Sequence, residues 1–273
     1  MAFELGPKAR AAGYRLVEYE TIGSTNTEAL AWATLGDPGM LWVVAEEQSA
    51  GHGRRGSRWE TPRGNLAASL LIVRREASTP PASMGFVAGL ALEQAIRTVA
   101  PDLAVRHVLD GAAGGCERVT LKWPNDVLFD GAKVAGILLE AVTLADGRQS
   151  VVVGFGVNVR QAPSGISYPV TSLSDCGADV VPQTLFTALS ESWLEQVGLW
   201  SEGNGFAAIR KRWLERAAGL GRPIAVKVGA EVYRGTFETI DREGRMIVRA
   251  GDGSSHAITA GEVHFGVAAT VGD

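Results

Sequence analysis

Cysteine is almost missing from this chain: there are two in 273 residues, Cys116 and Cys176. Neither stands at metal-ligand spacing from a partner, which argues against both a disulfide framework and a cysteine zinc site. The four histidines, His52, His107, His256 and His264, are scattered, so a histidine metal cluster is not expected either. No apolar run reaches the ~18 residues needed to cross a bilayer. Met1 to Arg15 shows no basic start, apolar stretch or small-residue cleavage site of a secretory signal. Excess positive charge is absent too. The formal net charge is −4, whereas a surface given over to duplex DNA is usually basic. Neither an internal repeat nor a low-complexity tract is present. These absences point to a cytoplasmic globular protein with no membrane partner.

What is there fits that class. Hydrophobic residues make up 46% and charged residues 21%, ordinary values for a soluble domain. The length suits one large domain, or one large and one small. A helix is expected from about Ser24, with Thr25 and Glu28 at capping-box spacing and an apolar face of Ala29, Leu30, Trp32, Ala33 and Leu35. Gly36 and Pro38 end it. Leu41 to Ala45 and Leu66 to Val73 read as strands around a Gly/Arg-rich loop, and Met84 to Val99 reads as a helix. Asp110 to Gly115 reads as an exposed loop and Val119 to Trp123 as a strand. Val127 to Phe129 and Lys133 to Glu140 form a hairpin across Asp130-Gly131. Asp146-Gly147 turns into a strand at Ser150 to Val153. Leu185 to Trp200 and Phe206 to Ala217 are helical in pattern. Beyond Gly219 short alternating segments appear: Ile224 to Val228, Glu231 to Phe237, Met246 to Val248 and His256 to Thr259. They predict a small β-barrel. The expected architecture is α+β, a mixed β-sheet flanked by helices over 1–219 and a small barrel over 220–273.

Three segments carry chemistry. In Gln48 to Trp59 the glycines Gly51, Gly53 and Gly56 match G-x-G-x-x-G, but Pro62 and Gly64 follow where a dinucleotide site needs a helix, so that reading is rejected. What remains is a mobile loop with Arg54, Arg55, Arg58 and Arg63, able to approach phosphate or carboxylate through backbone amides and guanidinium forks. Alone, it reads equally as a solvated basic loop or a nucleic-acid patch. Next, Lys122-Trp123-Pro124-Asn125-Asp126 and Lys133-Val134-Ala135-Gly136-Ile137 are joined by the hairpin, which brings Lys133 to the Lys122–Asp126 segment. Lysines there can neutralise charge developing on oxygen; either alone also reads as a surface residue. Last, Gly154-Phe155-Gly156-Val157-Asn158 offers room for a flat group and an amide suited to an adenine edge. A β-bulge with a turn asparagine is the equal alternative.

Taken in order with Ser24-Thr25-Asn26 and the C-terminal barrel, these segments resemble the biotin–protein ligases that lack a DNA-binding domain, over nearly the whole chain. The resemblance implies a biotin/lipoate ligase-like catalytic domain and an SH3-like C-terminal barrel. It implies ATP and biotin as substrates with Mg2+, and transfer of biotin through biotinyl-AMP to a lysine on the biotin carrier domain of a carboxylase. Ser24, Thr25 and Gln48 match positions that bond the ureido ring, with Asn26 beside them in the biotin site. Gly51, Arg54 and Arg55 match the loop over biotin and the adenylate phosphate. Trp59 matches a residue packed near adenine, and Asn158 an adenine contact. Lys133 matches the catalytic lysine and Gly136 a backbone contact to biotin. Asp126 is the candidate helper at the second step or metal ligand. Lys122, Asn125 and His52 are supporting residues. The family commonly has arginine at the positions of His52 and Ser57, so positive charge is reduced here. A lipoate–protein ligase and a biotin-binding relative without transfer activity are the alternatives. With 23 residues before Ser24, specific DNA binding is not expected; a homodimer is left open.

Overall fold

The computed structural model describes residues 2–74, 82–103 and 119–265. The loop expected over Asp110 to Gly115 lies outside them. Elements run in the order α1 (Pro7–Ala11), β1 (Arg15–Ile22), α2 (Thr25–Thr34), β2 (Leu41–Gln48), β3 (Leu66–Arg74), α3 (Ser83–Val99), β4 (Val119–Lys122), β5 (Asp126–Phe129), β6 (Ala132–Thr143), β7 (Gln149–Val157), α4 (Pro182–Trp200) and α5 (Phe206–Leu214). The strands β8 (Pro223–Val228), β9 (Glu231–Ile240), β10 (Met246–Arg249), β11 (Ser255–Ile258) and β12 (Glu262–Phe265) follow.

The first seven strands form one mixed sheet in the order β1-β2-β3-β7-β6-β5-β4. β1 and β2 are parallel and the other neighbours antiparallel. Both faces are covered, and alternation along each strand divides them. Leu41, Val43, Leu71 and Val152 meet Ala29 and Ala33 of α2. Trp42, Val44, Leu70, Val151, Val153 and Phe155 point the other way into a core shared with α3 and α4. Trp42 anchors that core edge-on to Phe186 at 5.4 Å and to Trp193 at 6.4 Å between ring centroids. Truncating so fully buried a side chain costs about 3–5 kcal/mol.

Besides strand ends, three features differ from expectation. The cap of α2 is Ser24, whose side chain accepts from the Thr27 amide, while Glu28 accepts from the Tyr19 hydroxyl. Thr25 and Glu28 therefore form no capping box. Helix α5 stops at Leu214 rather than Ala217, because Arg216 to Ala218 leave it to pair with β4: the Leu121 amide donates to the Arg216 carbonyl and the Ala218 amide to the Leu121 carbonyl. The small barrel is a five-stranded antiparallel sheet in the order β11-β10-β9-β8-β12, with β11 and β12 as its two ends rather than paired into closure. It rests on the first sheet. The Trp123 indole N–H donates to the Gly244 carbonyl at 3.3 Å, and Ile224, Val226, Phe237 and Ile240 join the same core.

Candidate active site

The Asp130-Gly131 turn has positive φ at both central residues, 47° and 83°, the geometry whose twist matches a two-residue hairpin. It sets β5 against β6, with Asp126 opposite Gly136 and, across β4, Lys122 opposite Asp126. Lys133 stands opposite Leu128, beyond a register shift, and its side chain reaches Asp126: Nζ lies 2.7 Å from Oδ1, with 16% and 17% of the two side chains exposed. The Trp59 ring centroid is 5.4 Å from the ammonium and that of Tyr168 is 5.9 Å away. Burial pulls the Lys122 ammonium below its ordinary pKa; Asp126 opposes this and Lys133 reinforces it. Arg54 donates to Asn125 Oδ1 at 3.1 Å, while Asn125 itself donates to the Ile137 carbonyl. Burial, then repulsion from Arg55, lowers the Arg54 pKa, and Asp126 and Glu262 pull it back. Lys122, Lys133 and Arg54 thus gather near Asp126. Such a group, partly stripped of water, is electrostatically suited to an added anion.

The loop that carries Arg54 is a folded ribbon, not the free coil expected from its glycines. Gln48 bridges Thr61 and His52 bridges Arg58. The Trp59 amide donates to the Gly51 carbonyl at 3.0 Å and the Gly53 amide to the Ser57 carbonyl at 2.7 Å. A single 3-10 turn over Arg54–Gly56 forms the tip, and no α-helix follows, in keeping with rejection of a dinucleotide fold. Its arginines diverge. Arg54 faces the lysines, Arg55 binds Glu262 of β12 at 3.1 Å, and Arg58 lies outside beside Glu60. Arg63 sits among Glu20, Glu46 and Glu47 at the ribbon's root.

Trp59 returns from the ribbon onto the sheet. A methyl group on Gly156 would collide with its indole, and one on Gly136 would press on it and on Lys133. The flat group over the glycine pair is therefore a side chain of the protein itself. One step along β7, the Asn26 carboxamide lies so close to Gly154 that no Cβ fits. Asn26, Trp59 and Lys133 form a strip across one sheet face. At its polar end Gln48 Oε1 accepts from the Thr25 amide at 2.8 Å and from the Thr25 hydroxyl at 3.1 Å, while Gln48 Nε2 donates to Thr61. The Ser69 hydroxyl lies 2.7 Å from Thr25 Oγ1 and 2.6 Å from Asn26 Oδ1. Asn26 Nδ2 donates to Glu140 at 2.8 Å, and His52 Nε2 is 3.4 Å from the same carboxylate oxygen.

Asn158 closes the cationic end. It is 1% exposed. Its amide N–H donates to the Val134 carbonyl and its Nδ2 to the Thr171 carbonyl at 3.1 Å, which leaves Oδ1 buried with no partner. Asn65 pins the following turn, its Oδ1 accepting the amides of Val159, Arg160 and Gln161. Sequence reading overlooked Ser69, Glu140, Tyr168 and Asn65. The first two carry a faint signal, a polar residue inside an apolar strand. Nothing local distinguishes Tyr168. Among the described residues no three His, Cys, Asp or Glu side chains gather as a metal cluster, so a divalent ion would find Asp126 as a single ligand already paired with Lys133.

Comparison with known proteins bears on the family and the fold. Residues 19–158 match the family model described as biotin/lipoate A/B protein ligase family, and 219–266 match the biotin protein ligase C terminal domain. The chain is 40% identical over 252 residues to a biotin–[acetyl-CoA-carboxylase] ligase of Paracoccus denitrificans, covering 89% of this chain and 97% of that one. It is 34% identical to the ligase of the same name from Mycobacterium tuberculosis, over 88% and 85%. In fold it is similar to the biotin protein ligase of Aquifex aeolicus solved with biotin and ATP, with a TM-score of 0.74, 23% identity, and 92% and 97% coverage.

Proposed function

The chain belongs to the biotin/lipoate A/B protein ligase family, and from that membership we propose that it is a biotin–protein ligase that adenylates biotin with ATP and transfers it to a lysine of a carboxylase's biotin carrier domain. The single observation that supports this best is the strip that runs across the sheet from β2 and β3 over β7 to β6. It begins in neutral hydroxyls and amides at Thr25, Gln48 and Ser69, and ends in cations at Lys133 and Arg54. Biotin has the same polarity, a neutral ureido head and an anionic tail.

In the first step a carboxylate oxygen attacks the α-phosphorus of ATP and pyrophosphate departs. On this reading Lys133 neutralises the oxygens that gain charge, and Arg54 holds the phosphate. Trp59 walls the strip between head and tail. In the second step the acceptor amine attacks the carbonyl carbon and AMP leaves; Asp126 is the candidate carboxylate to take the amine's proton. A ribbon over the reacting atoms excludes water that would hydrolyse the anhydride. Magnesium would come with the ATP phosphates and offset their charge, and Asp126 would be its candidate protein ligand, once released from Lys133. Asn158 presents a buried acceptor that suits an adenine amino group. The division into a catalytic domain, 1–219, and a C-terminal domain, 220–273, belongs to the same reading, as does a cytoplasmic location. Among the described residues no helix is long and apolar enough to cross a membrane.

The test is incubation of the purified chain with ATP, Mg2+, a carrier domain and either labelled biotin or labelled lipoate. Biotin should be incorporated and lipoate should not. Lipoate transfer without biotin transfer would replace the substrate, and pyrophosphate release with neither would end the reading.

A further inference from the structure

Glu140 is a carboxylate set in the middle of the first sheet, on the same face of β6 as Gly136 and opposite Val152. It touches two separate parts of the candidate biotin pocket. One oxygen accepts from Asn26 Nδ2 at 2.8 Å, and the same oxygen lies 3.4 Å from His52 Nε2 in the ribbon. Asn26 leads on through Ser69 and Thr25 to Gln48, at the ribbon's other end. The bonds make a ring: the ribbon leaves the sheet at Gln48 and is caught again at His52 by a carboxylate that also holds Asn26.

We propose that Glu140 is a positioning residue and His52 its catch, together forming a latch that holds the glycine ribbon over the biotin pocket and sets how readily it lifts. The proposal rests on the ligase reading for its substrate but not for its mechanics. The latch is weak by design of its surroundings. Both side chains are about one-third exposed, at 32% and 31%, and half-solvated pairs contribute little. A weak catch suits a cover that must open once per turnover to release AMP. The usual family arginine at position 52 would be charged at every working pH.

The latch can be read without any ligand, by tryptic cleavage at Arg54, Arg55 and Arg58, with cut sites identified by mass. Glu140→Ala, which removes the acceptor, and His52→Ala should each speed ribbon cleavage about threefold to fivefold. The double variant should be no faster than either single one, and His52→Gln, which keeps a side-chain donor and adds no tryptic site, should restore slow cleavage. With biotin and ATP, the same variants should raise KM for biotin by a similar factor while kcat falls less. Unchanged cleavage, or additive effects in the double variant, would overturn the latch. If the native chain makes no biotinyl-adenylate, the ligase reading fails while the cleavage result still decides the mechanics.

Discussion

Strands β7 and β9 are of similar length and sit in sheets that touch, yet they are built oppositely. β7 is buried on both faces from Ser150 to Phe155, between α2 on one side and α3 and α4 on the other. β9 alternates and is wet along one face, with Phe237 and Ile240 turned inward. A strand covered on both sides can exchange a side chain for bare backbone without exposing the core to water. β7 does so at Gly154 and Gly156, and there the candidate site is laid down. A strand covered on one side has no such interior surface to offer. Site residues therefore cluster on the first sheet, and the second sheet contributes support through Gly244, Glu262 and Phe265.

The sharpest way to break this contrast is Lys133→Ala. Loss of an electrostatic stabiliser should lower pyrophosphate release about 10²–10³-fold, measured by coupled assay with biotin and ATP. Normal release would remove the first sheet's lysine from the chemistry. Next come two matched glycines. Gly156→Ala drives a methyl into Trp59, and Gly235→Ala drives one into the Arg249 carbonyl in the second sheet. Overpacking should cost each about 1–3 kcal/mol of unfolding free energy, read from urea melts. Only Gly156→Ala should also weaken biotin binding by calorimetry; equal loss in both would erase the distinction between the sheets. Smaller is Glu262→Ala. It cuts the exposed Arg55 pair between ribbon and second sheet, with an expected change within about 0.5 kcal/mol. A larger shift in the melt would mean the sheets are more tightly coupled than their surface suggests.

The smallest effect is a pH dependence. The Arg148 amide N–H, then its guanidinium, hold the Asp146 carboxyl below its ordinary range in the β6–β7 turn. A depressed carboxylate contributes stability above its unfolded pKa and loses it as pH falls through the folded one. Asp146→Asn should therefore flatten acid unfolding slightly below about pH 4. An unchanged acid limb would show the turn carboxylate to be idle.

Much of this was legible because the signals were local. Asp130-Gly131 predicts the hairpin and brings Lys133 to the end of the sheet that holds the Lys122–Asp126 segment; the register shift between Val127 and Leu128, which sets Asp126 opposite Gly136, has no such local signal. Strand β1 escaped because Glu18 and Glu20 interrupt its apolar pattern and it lies at a half-exposed sheet edge. The four residues of β12 are too few to show a period. Within the site, the place of Trp59 over Gly156 depends on the ribbon folding back upon itself, and no spacing encodes that. The ring through Ser69 and Glu140 joins four segments distant in sequence, so it exists only after folding.

Asn158 has a consequence for which nucleotide is tolerated. Its Nδ2 donates to the Thr171 carbonyl, which favours the orientation that leaves Oδ1 as the buried acceptor. On the ligase reading, a purine with an exocyclic amine supplies the missing hydrogen. A purine with a keto oxygen at that edge would set lone pair against lone pair and leave both groups dry, which costs more than the absence of any contact. One oriented carboxamide would thus act as a sieve between ATP and GTP, with no residue devoted to repelling the latter.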